Sequence, residues 1–153
     1  MGTNAGASRS PAPGSSNPDP VSGAWFLVEV GAPIGYFTDV SGLTVEYEVK
    51  EYSEGGVNDF VHKLRGRAKD QNLVLTRGVT HEKGLWEWFQ ACRDKTERRD
   101  LTLTMLSPAG DPVRTWSFAG AFPVKWTGPD MKAGSSDFAT ESLEIAHQGF
   151  SEQ

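Results

Sequence analysis

Cysteine is nearly missing from this chain: Cys92 is the only one in 153 residues. No internal disulfide can form, so the fold must be held by its core, which fits a reducing compartment. There is no apolar run of about 18 residues, the length a membrane-spanning helix needs. The N-terminus also lacks the apolar segment of a signal peptide, so assembly in the cytoplasm is expected. Basic residues are the minority, 15 Lys and Arg against 20 Asp and Glu for a net charge of -5. That balance argues against nucleic acid as the default partner, because phosphate binding needs an excess of Lys and Arg on one face.

The motifs of chemistry are missing too. His81 and Glu82 begin like a zinc-protease signature, but the chain continues KGLWE with no second histidine four residues on. Neither a Gly-x-Ser-x-Gly elbow, a phosphate loop nor a dinucleotide fingerprint occurs. Cys92 falls on the apolar stripe of a predicted helix, where a thiol is shielded instead of activated. His62 and His147 alternate with strand residues and read as hydrogen-bonded structural side chains. Catalytic residues, metal ligands and cofactor are therefore all assigned as none, and an enzyme is the weaker class of answer.

What the chain does contain is alternation. Residues 1–21 are Gly-, Ala-, Ser- and Pro-rich and read as a tail. Residues 22–150 read as one β domain, followed by a C-terminal end at 151–153. WFLVEV, from Trp25, is a strongly apolar strand that Gly31 to Pro33 closes with a turn. Leu73 and Leu75 share a strand face, and Arg77 with Gly78 marks that strand's weakening end. Leu101, Leu103 and Met105 alternate before the reversal SPAGDP, and Arg114, Trp116 and Phe118 alternate after it. Gly120 permits a bend before Phe122, Val124 and Trp126. The segment TGPDMKAGSSD reads as a turn, and a final strand runs from about Phe138 to His147 with Leu143 and Ile145 on one face. One helix is predicted over Glu82 to Arg93, capped by Thr80, with Leu85, Trp88, Phe89 and Cys92 forming its apolar stripe. Trp86 lies off that stripe, where a neighbouring subunit or nearby long side chains would cover it. The sum is a mainly β fold, an antiparallel barrel or sandwich with one packed α-helix.

The segment from Gly35 to Arg67 carries the functional signal. Leu43, Val45, Tyr47 and Val49 fall on one face, and Thr44, Glu46, Glu48 and Lys50 on the other. Phe60, His62 and Leu64 alternate in the second arm, and SEGGVND between the arms reads as a projecting loop. Glu46, Glu48, Glu51 and Glu54 line the first arm and loop, while Lys63, Arg65, Arg67 and Lys69 line the second. These charges can pair locally across the hairpin. Alternatively, an acidic rim on one subunit meets a basic rim on the next and sets the direction of a stack.

The order of segments resembles the tube proteins of contractile phage tails and of phage-tail-like contractile injection systems. FLVEV, FTDVSGLTVEYEVKEYSEGG, KLRGR, NLVLTRGVT, LWEWF, PVKWTGP and ESLEIAHQGF carry the resemblance, over roughly Trp25 to Phe150. It implies a barrel-like subunit that forms hexameric rings by joining strands across subunit boundaries. The rings would stack into a hollow tube inside a contractile sheath, with baseplate and cap proteins at its ends, protein cargo in its lumen, and no nucleic acid unless the particle is a true phage. In this reading Gly55, Gly56, Val57, Asn58 and Asp59, with the arms around them, dock on the adjacent ring. The resulting particle would stay inside its producer or be released. Similar folds serve the secreted ring protein of type VI secretion, one alternative; a small-ligand-binding β-barrel is another.

Overall fold

The computed structural model describes Gly2 and residues 21–53, 55, 61–134 and 136–153. Its strands follow the alternation. β1 (Trp25–Val30) buries Val28 and Val30, and β2 (Ala32–Phe37) buries Phe37. The turn expected over Gly31 to Pro33 is tighter than that: the chain reverses at Gly31, φ +70°, and β2 already begins at Ala32, which pairs with Val30. Pro33 stands in a strand that pairs only with β1, the edge position where proline is tolerated in a sheet. β3 (Asp39–Ser41) follows Thr38, and then come β4 (Val45–Tyr52), β5 (His62–Asp70) and β6 (Leu73–Gly78). After α1 (Gly84–Asp94) the chain adds β7 (Arg99–Leu106), β8 (Pro112–Thr127), β9 (Thr140–Ala146) and β10 (Phe150–Glu152).

The main sheet has the order β2-β1-β7-β8-β9-β6-β3, with β10 also on β8 and every pair antiparallel. Its two end strands, β2 and β3, are consecutive in the chain, so the sheet must curl until its edges meet. Thr38, between them, donates its N–H to Thr76 O at 3.1 Å. Among the described residues no ladder joins β2 to β6, so the barrel is strongly curved but not closed by hydrogen bonds. β8 was expected as two pieces. It is one strand of 16 residues, bulged where Gly120 takes φ +57°, and its first half pairs with β7 and its second with β9.

Inside the curl lie Phe37, Leu73, Leu75, Leu101, Leu103, Phe118, Leu143 and Ile145, all essentially inaccessible. α1 adds Leu85 and Trp88 to this core, with Phe89 and Cys92 packed beside them. Trp86 turns to its own chain: its ring lies 4.7 Å from Trp126 and 6.0 Å from Phe89. The helix starts two residues later than predicted, after Lys83 and without a side-chain cap. Thr80 instead accepts the Glu82 N–H at 3.2 Å, and the Glu82 carbonyl is taken by Arg77 Nη2 at 3.2 Å. The first helical bond is accepted by Lys83 O, from the Glu87 N–H at 2.9 Å.

Candidate functional site

β4 and β5 stand apart from the barrel as a sheet of two strands. The chain leaves the barrel at Gly42, where φ is +92° and a Cβ would sit 2.0 Å from Asn72 O; only glycine fits this exit. Once outside, the hairpin has no layer over either face among the described residues. Val45, Tyr47, Val49, Tyr52, Val61 and Leu64 are all exposed. Two strands alone are marginally stable in water and need a third strand or a packed surface to persist.

The register is broken in one place. Between the pairs Tyr47↔Ala68 and Val49↔Arg65 the first strand advances two residues and the second three, so Gly66 and Arg67 both oppose Glu48. Gly66 is required there, since its Cβ would lie 2.9 Å from Glu48 O. This bulge shifts the faces of the second strand. Leu64 and His62 come to lie opposite Lys50 and Tyr52, while Arg65 and Lys63 join the face of Val45, Tyr47 and Val49. Arg65 stacks on Tyr47 with its guanidinium carbon 3.4 Å from the ring centroid, so the apolar stripe ends in a cation held flat on an aromatic.

The charged residues singled out from sequence are brought together only in part. Lys69 Nζ meets Glu48 Oε1 at 3.0 Å, and that hydrogen bond, helped by the Coulombic pull of Glu48 and then of Glu46, raises the lysine pKa above its ordinary value. Glu51 lies across the ladder from Lys63, and Glu46 across from Lys69. Among the described residues Glu46, Glu51, Lys63 and Arg67 make no ion pair. Gly55 is exposed, and Glu54, Gly56, Val57, Asn58 and Asp59 lie outside the described residues.

Two features escaped the sequence reading. Arg77 does not mark a weakening strand end: it is 3% exposed, with Nε 2.8 Å from Glu141 Oε1 and Nη1 3.6 Å from Glu82 Oε2. The signal was there, because Arg77 continues the buried period of Leu73 and Leu75, and Glu141 that of Leu143 and Ile145. The second feature is the β8–β9 connection, where TGPDMKAGSSD reads as a plain turn and Phe138 as the start of the last strand; β9 begins only at Thr140. The connection holds Met131 and Phe138, each 93% exposed, lining one open hollow with Asp130, Lys132 and Ala133. Among the described residues no group of three or more His, Cys, Asp or Glu could hold a metal ion, and no helix is long and apolar enough to cross a membrane.

This curled antiparallel fold defines a class with solved members. Hcp1 from Flavobacterium johnsoniae shares it at TM-score 0.52 and 16% identity, over 84% of this chain and 94% of that one. Within that class the chain belongs to the T4-like virus tail tube protein gp19 family, whose model matches residues 22–151. It is a tail tube protein, and the family is a structural one. It is similar to a chain of the sheath-tube complex of the PVC extracellular contractile injection system in the extended state. That match has TM-score 0.77 and 28% identity, over 90% of this chain and 94% of that one. It is also similar to a chain of the anti-feeding prophage tube-terminating cap, with TM-score 0.76 and 26% identity, over 88% and 91%. No curated protein sequence matches the chain.

Proposed function

We propose that this chain is the inner tube subunit of a contractile injection particle. Copies join in rings of six, the rings stack into a hollow tube inside a sheath, and cap and baseplate proteins close its ends. The lumen holds or passes protein cargo, and shortening of the sheath drives the tube through a target membrane. The subunit does no chemistry of its own. Residues 22–150 form the tube domain, with residues 1–21 as an N-terminal tail and 151–153 as the C-terminal end. Assembly takes place in the cytoplasm, after which the particle is released or kept.

The observation that carries this reading is the uncovered arm. A free-standing hairpin exposing Val45, Tyr47 and Val49 is a liability in a monomer and a joint in a polymer. The sheath-tube and cap similarities supply the setting. A secreted ring protein of type VI secretion shares the fold, but at much lower identity than the sheath-tube chain. A ligand-binding barrel is disfavoured by Phe37, Phe118 and the leucines that fill the interior.

Electron microscopy across a concentration series, beside sedimentation velocity, tests the proposal. Six-fold rings or hollow tubes are expected, and a triple variant Val45→Ser, Tyr47→Ser, Val49→Ser should remain a folded subunit. Deleting residues 53–59 should likewise leave a folded subunit that does not stack. Stable long tubes count against the free-ring alternative; a compact monomer at every concentration overturns the reading.

A further inference from the structure

We infer that the hollow formed by Met131 and Phe138 is the surface that receives the arm of the next copy of this chain. The inference rests on the proposed self-assembly and names the partner surface within it. Single exposed apolar side chains are ordinary, but here several gather. Met131 and Phe138 are exposed more fully than any other large apolar side chain among the described residues, and they line the same hollow. Val79, also exposed, is tied beside them by its N–H to Ala139 O at 2.9 Å.

The position of this hollow is what selects its occupant. β6 and β9 run antiparallel, with Leu73 opposite Ile145 at one end and Gly78 opposite Thr140 at the other. The arm roots at the first end, where β5 stops at Asp70 just before Leu73 and Gly42 packs on Asn72. The hollow sits at the second end, where β8 passes into β9 and Val79 follows β6. The chain thus leaves two different apolar surfaces uncovered at opposite poles of one strand pair. A contact between unlike surfaces at opposite poles repeats head to tail, closing into a ring or continuing as a stack. An arm-to-arm contact would instead close at a dimer and leave Met131 and Phe138 in water. The chemistry matches as well. An unbranched methionine and a phenyl ring adapt to Tyr47 and Val49, and the lining carries two carboxylates, Asp130 and Asp137, against one ammonium, Lys132, a net negative charge that complements the Arg65 guanidinium held on Tyr47.

The test compares two variants of the full chain by the concentration needed for half-maximal assembly: Met131→Ser with Phe138→Ser, and the triple arm variant. Far-UV circular dichroism confirms that each is folded. Both should raise that concentration at least about tenfold, the effect of losing one buried apolar anchor, and combining them should add little, since they remove the same contact. A cysteine pair, Val49→Cys with Phe138→Cys in a Cys92→Ser background, should give intermolecular disulfides in oxidised assemblies, and neither single cysteine should give a ladder. If the hollow variant assembles like the parent while the arm variant does not, this inference is overturned and the tube reading stands. If the arm variant also assembles like the parent, the tube reading loses the observation that carries it.

Discussion

In the barrel, Leu101, Leu103, Leu143 and Ile145 alternate with polar neighbours and vanish into one core; in the arm, Val45, Tyr47 and Val49 alternate with Glu46, Glu48 and Lys50 just as regularly and stay exposed. The local pattern is the same and the outcome opposite, because alternation specifies a two-sided strand but not what covers its apolar side. The barrel finds its cover within the chain. Among the described residues the arm does not, and the difference separates the part of the molecule that folds from the part proposed to join its neighbours.

The comparison breaks first at the buried pair. Glu141→Ala should destabilise the isolated subunit by about 3–5 kcal/mol, because it strands the Arg77 charge. Replacing both partners with apolar residues, Arg77→Met with Glu141→Leu, should recover most of that loss in the same denaturant melts. If Glu141→Ala melts like the parent, the pair does not hold the strands. Gly42→Ala comes next. Strain at the exit should cost about 1–3 kcal/mol locally, read as faster amide exchange in β4 and β5 with the barrel still protected; loss of protection throughout would mean the arm and barrel fold as one. Trp86→Ala should cost about 0.5–1.5 kcal/mol beyond lost area through its ring contact with Trp126. Tyr47→Ser should change the isolated subunit by no more than about 0.5 kcal/mol, and a larger loss would show that the arm is already covered within the monomer. The smallest effect concerns Lys69. Its pKa is raised by Glu48, so whatever the pair contributes is present below the ordinary lysine value and is lost as pH rises through the folded one. Glu48→Gln should bring the Nζ titration, followed by NMR, back toward that ordinary value.

Much of the barrel could be read from residues alone, since Leu73 with Leu75 and Leu143 with Ile145 keep strict period two on a buried face. The stripe of α1 was legible for the same reason at helical period, whereas its start was not, because Thr80 and Glu82, which read as cap and first turn, bond instead to each other and to Arg77 of β6. In the arm the acidic strand was legible and the facing of the basic one was not. A bulge at Gly66 and Arg67 leaves no trace in hydrophobicity, yet it moves Arg65 onto the apolar side. Met131 was hidden by the Gly-, Ser- and Asp-rich composition around it, which reads as turn whatever large side chains it carries, and Phe138 by its place at the head of the last alternating run.

β8 also has a mechanical side. It runs unbroken through both halves of the sheet, pairing with β7 and β10 and then with β9. A load applied to one half therefore reaches the other along covalent backbone, and not only through rungs of hydrogen bonds that could be peeled one at a time. The strand's register shifts at Val113, near Gly120 and at Val124, and Gly120 alone of these takes a positive φ. A tube subunit built this way should bend at those points under thrust before it splits.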